Sequence, residues 1–136
     1  MNIASTTRAV FRIGVAILFA MHGLQKLFGL FGGRTVAIGS LMGVAGVLEL
    51  VGGILLLLGL WTRTVATILA LEMVTAFIMA HAPKGGVPLQ NGGEVPLLYA
   101  LAFVFLAGNG PGAASADTGM RRTRMDTIRD RLTRAA

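Results

Sequence analysis

The stretch "TVAIGSLMGVAGVLELVGGILLLLGLW", residues 35–61, decides what kind of protein this is. A bilayer core of about 30 Å needs roughly 20 apolar residues in a helix, and this run exceeds that length with Glu49 as its only charge. Two neighbouring runs are comparable. Val10–Phe31 precedes it, interrupted by Arg12 and by a polar cluster near its end, and Thr64–Ala82 follows it, carrying Glu72 and His81. A fourth run, Val95–Gly108, is about 14 residues long. It is short for a span and is expected to borrow length from its flanks or to sit where the bilayer thins. The resulting expectation is an all-α integral membrane four-helix bundle. Residues 1–116 form the transmembrane domain, with spans at about 10–31, 35–61, 64–82 and 95–110, and residues 117–136 form a basic amphipathic tail.

Composition agrees with that reading. The chain is 54% hydrophobic and 13% charged, whereas soluble domains carry roughly 25% charged residues. Its 136 residues allow one domain. The net charge of +6 is uneven, because Arg121, Arg122, Arg124, Arg129, Arg131 and Arg134 crowd the last sixteen positions. The high isoelectric point therefore describes a tail, not a nucleic-acid-binding face. Cysteine is absent, so disulfides, thiolate ligands and cysteine catalysis are excluded, and redox work would need a bound cofactor or a partner. Arg8 and Arg12 ahead of an apolar core resemble a signal peptide. The core is too long, however, and the site after it is not of the A-x-A type, so the segment is expected to be retained.

Basic residues set the expected orientation. Four spans put Arg8, Arg12, Arg63 and the tail on one side, against Lys26, Arg34 and Lys84 on the other. Both termini are then expected in the cytoplasm. "HGLQKLFGLFGGR" (residues 22–34), the "HAPKG" end of the third run and the "NGGE" approach to the fourth meet on the opposite side.

Helical spacing assigns faces. His22, Gln25 and Lys26 form one polar patch above Phe11, Val15 and Leu18. Gly39, Gly43, Gly46 and Gly53 line one stripe of the second helix, a spacing that lets membrane helices approach closely. Glu49 borders that stripe and should face the bundle, because a charge at mid-bilayer costs about 2.5–3.5 kcal/mol. Glu72 shares a face with Thr75, Ala76 and Met79, and His81 lies nine residues on, near the opposite side if the helix stays regular. "APKGGVPLQNGGEVP" (residues 82–96) is a loop by its prolines and glycines; within it Lys84 can pair with Glu94, and Asn91 can fold inward.

Four segments, "HGLQKLFGLFGG", "AGVLELVGGILLLLGLWTR", "AHAPKGGVPLQNGGEVPLLYALAF" and "GNGPG", together resemble the DoxX family of small bacterial four-helix membrane proteins. The resemblance runs from about Arg12 to Asp117, in the family's order. Its motif positions fall on His22, Gly23, Lys26, Glu49, Arg63, His81, Lys84, Asn91, Gly92 and Glu94, whereas Glu72 matches no family motif. The family is named for likeness to a subunit of thiosulfate:quinone oxidoreductase, and some members associate with superoxide dismutase and a sulfurtransferase. The resemblance thus implies a membrane subunit of a quinone-linked oxidoreductase complex in the bacterial cytoplasmic membrane. Alternatives are an accessory subunit or anchor without chemistry, packed on a larger respiratory complex, and a small-molecule or proton carrier. A homo-oligomer stays open.

On this reading a quinone or small-ligand pocket is formed by His22, Lys26, Glu49, His81, Lys84, Asn91 and Glu94. His22 and Lys26 would donate to a carbonyl oxygen, or else Lys26 snorkels and His22 bonds a neighbouring helix. Glu49 would take protons or hold a structural ion pair. Glu72 would serve packing or a contact to another subunit. No metal is expected, since the histidines and carboxylates lack ligand spacing. No glycine cluster matches a nucleotide loop. In the tail, Met125, Ile128 and Leu132 fall on one side, fitting a helix on an anionic leaflet or against a soluble partner.

Overall fold

The computed structural model describes residues 2–134. It is all-helical, with no strand among the described residues. Among the described residues six α-helices occur in chain order: α1 (Ile3–Phe28), α2 (Leu41–Leu58), α3 (Thr62–Ala76), α4 (Pro88–Asn91), α5 (Glu94–Asn109) and α6 (Ala116–Arg134). The expected count of four came from apolar runs alone; a short loop helix, α4, and the tail helix, α6, are added. α1, α2 and the segment Thr62–Lys84 are long and apolar enough to cross a membrane, while α5 is a shorter apolar helix.

Local chemistry sets the boundaries. Thr35–Ser40 belongs to the apolar run but not to the helix, because the Ser40 hydroxyl accepts from Gly43 N at 3.1 Å and starts α2 there. Gly39 consequently lies outside α2, and the expected four-glycine stripe shrinks. α2 ends on Gly59 at φ 66°, a left-handed cap that glycine adopts without strain.

Gly43 packs on the preceding turn at Ala37 and Ile38, and the glycines further along divide between two neighbours. Toward α1, a Cβ on Gly23 would sit 2.5 Å from Leu50 N and 2.7 Å from Gly46 O, and one on Gly53 would sit 2.8 Å from the Ala20 methyl. The two backbones therefore touch, as small residues allow in membrane helices. Toward α3, Gly52 receives the Leu69 side chain. α5 closes against α1 through aromatic rings: Phe19 meets Phe103 edge-on at 4.7 Å and Tyr99 at 5.0 Å. Phe19, Leu56, Leu69, Phe103 and Leu106 form the dry centre.

The end of the bundle that carries the N-terminus is knitted by charge. Arg12 is fully buried and donates to Pro111 O at 2.8 Å and Ala114 O at 2.9 Å. Arg63 donates to Ala107 O and Gly108 O, and Arg8 to Asn109 O, so the last carbonyls of α5 are capped by guanidinium groups. Asp117 accepts from Trp61 N at 2.8 Å and Thr62 N at 2.9 Å, supplying the cap that α3 lacks locally. The "GNGPG" segment thus acts as a receptor for arginines.

Gly23→Ala is expected to lower stability by about 1–3 kcal/mol through overpacking. Gly14→Ala, in the same helix but with no neighbour within 4 Å of its Cβ, should change it by less than about 1 kcal/mol. Thermal unfolding of the two variants in the same detergent checks the contrast.

Candidate functional site

Above the Gly52–Leu69 contact, α2 and α3 face each other across a cavity of about 850 Å3. That is within the range of small-molecule sites, roughly 300–1,000 Å3. Its flanks are apolar, including Leu48, Ile68 and Met79, and its polar groups come from α1, α2, the end of α3 and α5. Exposed Leu41, Val44, Leu71 and Met79 lie in the same wall, so the cavity opens toward the lipid-facing surface of α2 and α3.

Lys26 and Glu49 are brought together by the α1–α2 approach. The ammonium lies 2.5 Å from Glu49 Oε1, and among the described residues this is the ion pair within 4 Å. Glu49 is 97% buried by its 3% exposure, which a lone charge in hydrocarbon could not sustain, and Lys26 neutralises it. Its second oxygen, Oε2, has no hydrogen-bond partner.

Glu72 differs. Both of its carboxyl oxygens are buried without a partner, and the residue lines the cavity. Sequence reasoning assigned it to packing and left it outside the pocket; the cue that could have found it is a carboxylate within a membrane-length apolar helix. Tyr99 was also missed. It lies in the cavity wall, its ring edge-on to His22 at 5.6 Å.

The expected separation of Glu72 from His81 does not occur, because α3 does not stay regular. Pro83 has no N–H to continue the α ladder and its ring would crowd a carbonyl one turn back. The chain answers with a wide turn, Phe77–His81, in which Ala82 N bonds Phe77 O. Such a turn inserts about one extra residue and swings later side chains by about 100°, which is how His81 reaches the cavity that Glu72 lines. His81 Nδ1–H donates to Asn91 O at 3.1 Å, since a carbonyl can only accept. Neutral His81 then presents Nε2 as an acceptor.

Of the seven sequence-expected residues, His22, Lys26, Glu49 and His81 line the cavity. Asn91 is buried but shapes the loop: its Nδ2 donates to Gly85 O at 2.6 Å, and its Oδ1 accepts from Gly93 N at 2.7 Å. Lys84 and Glu94 are exposed, make no ion pair with each other and lie off the cavity wall, which corrects the expected pairing. The loop directs Lys84 outward from a tight turn, and Glu94 sits at the start of α5, where helix N-termini favour a carboxylate. Gln25 leaves the polar patch; its side chain packs against Gly33 of the following turn.

The DoxX family model matches residues 7–82. Over 116 residues the chain is 43% identical to a protein of Haemophilus influenzae described as "Uncharacterized protein", covering 80% of this chain and 87% of that relative. Over 101 residues it is 33% identical to "Putative oxidoreductase CatD" of Bacillus subtilis, covering 71% of this chain and 73% of the relative. No solved structure matches significantly.

Lys26→Met should destabilise the protein by about 3–5 kcal/mol, because it strands a buried charge. Lys26→Met with Glu49→Gln should recover most of that loss. Denaturation of the single and double variants in matched detergent measures the coupling.

Proposed function

The chain belongs to the DoxX family, a family of membrane proteins, and from that premise we propose that it is the membrane subunit of a quinone-linked oxidoreductase assembly. On this proposal α1, α2, α3 and α5 all span the bacterial cytoplasmic membrane with both termini inside, and the protein partners are the assembly's soluble redox subunits. The name of the Bacillus subtilis relative supports a redox association. The observation that carries the reading is the pair of unpartnered Glu72 oxygens in a cavity otherwise lined by apolar side chains and a few polar groups. An unsatisfied buried carboxyl is costly without a ligand or water to meet it.

The residues fit a quinone ring. The cavity has the volume for one and opens where an apolar isoprenoid tail would lie in the bilayer. A bound quinone would supply the two-electron, two-proton chemistry that no side chain here can supply. Lys26 Nζ, the His22 ring and the Tyr99 hydroxyl are donors suited to a carbonyl oxygen. Glu72 and His81 Nε2 are acceptors suited to a hydroxyl of the reduced form, and the Glu72 carboxyl is the group placed to hold a proton in transit. Apolar flanks exclude water, so each of these polar contacts acts in a low-dielectric setting.

Removal of one hydrogen bond by His22→Ala should weaken binding of a short-chain quinone analogue about tenfold. His22→Ala with Glu72→Gln should weaken it further, with the unfolding temperature retained. Titration of the analogue into the purified protein tests this. Wild-type affinity in a double variant that unfolds like the parent protein would sink the proposal.

A further inference from the structure

A second polar concavity lies at the opposite end of the bundle. It is a crevice of about 780 Å3 between the base of α6 and the loops that join the helices. Arg8, Arg63, Arg121 and Arg122 line it, against Asp117 and Asp126, so its walls are net positive. Asp117 is engaged by Trp61 N and Thr62 N, and Arg8 and Arg63 by carbonyls at the end of α5, which leaves Arg121 and Arg122 as the cations of the wall not held by backbone groups. Arg121 and Arg122 are exposed, and neither has a carboxylate within 4 Å among the described residues.

We propose that this crevice binds the phosphate headgroup of an anionic phospholipid, with α6 lying on the surface of that leaflet. Three features favour a lipid. The crevice sits at the ends of membrane-length helices, where headgroups are present, and Trp61 in its wall is 65% exposed, as expected of an interfacial aromatic. Guanidinium groups match phosphate oxygens in bidentate geometry. The wall continues along α6 into an exposed apolar stripe, Met125, Ile128 and Leu132. Helical spacing puts Arg121 at the head of that stripe and Asp130 on the opposite face. By that register one arginine shares the apolar face, where its stem lies along lipid and its head meets phosphate.

The base of α6 is held to the bundle. Asp117 N donates to Gly59 O, and the Asp117 carboxylate accepts from Trp61 N and Thr62 N. Beyond Gly119 every described side chain of α6 is exposed. A helix fixed at one end, cationic near that end and apolar along one stripe has the elements of an interfacial anchor.

The test uses the full chain in detergent, with phosphatidylglycerol, phosphatidylcholine and inorganic phosphate as probes and native mass spectrometry as the readout. Phosphatidylglycerol should be retained in preference to phosphatidylcholine, and inorganic phosphate should not displace it. At roughly fivefold per arginine near an anionic surface, Arg121→Gln with Arg122→Gln should weaken phosphatidylglycerol binding about 25-fold and leave phosphatidylcholine unchanged. The unfolding temperature in lipid-free detergent should match wild type. Equal retention of the two lipids, full phosphatidylglycerol binding by the variant, or displacement by inorganic phosphate would each overturn the proposal. So would an acidic soluble protein competing the lipid away at the same arginines.

Discussion

Backbone contact between α1 and α2 is the constraint on which the rest of the molecule depends. Gly23 against Leu50 and Gly46, and Gly53 against Ala20, leave no room for a single added carbon. In lipid there is no water-driven collapse between helices, so this closeness must come from van der Waals contact along small residues. It also sets the electrostatics. Lys26 is three residues from Gly23, and Glu49 is three from Gly46, so the same register that seats the glycines brings ammonium to carboxylate. A buried ion pair is poor evidence for stability by itself. Here it follows from a packing choice that would otherwise bury an unpaired carboxylate.

Commitment of α2 to α1 determines the shape of the cavity. Gly46 and Gly53 face α1, and only Gly52 receives α3, through Leu69. Away from the hairpin turn at Gly59–Trp61, the facing side chains of α2 and α3 border open space. The two ends of the bundle are therefore built differently. One is tied by Arg12, Arg63 and Asp117 to backbone groups of neighbouring segments, which fixes the helix ends and the tail. The other is shaped by a wide turn and a glycine-rich loop held by Asn91. A rigid base and a loop-built mouth are the usual division between scaffold and site.

Much of the helical architecture was legible because hydrocarbon imposes one strong rule: long apolar runs with satisfied backbones are helices. Residues 35–61 announce α2, and Glu49 announces an inward face, without any coordinates. Legibility stops where a local hydrogen bond competes with hydropathy. Ser40 ends the apolar run's claim to be helix six residues into it, because a hydroxyl cap outweighs a preference for burial that the turn can also satisfy. Arg12 shows a second limit. Counting it as an interfacial charge places it on the correct end of α1, yet its carbonyl receptors are about a hundred residues away, at Pro111 and Ala114. No spacing rule reports such a partner.

The site was legible residue by residue and not as a geometry. His22, Lys26 and Glu49 follow from helical period because α1 and α2 are regular. The meeting of His81 with Glu72 does not, because a period of 3.6 was carried through Pro83's approach, where the ladder must widen. The consequence is chemical. With a regular helix, the cavity would hold Glu49, already neutralised by Lys26, and Glu72 without His81. The wide turn adds His81, hydrogen-bonded through Nδ1 and open at Nε2, to the wall that Glu72 lines. One carboxylate in this cavity meets a cation through one oxygen and the other meets no partner through either, although both lie in apolar helices where an unmet polar group is costly. Packing accounts for Glu49. It gives no account of Glu72, whose position makes sense when its partner is something the cavity admits.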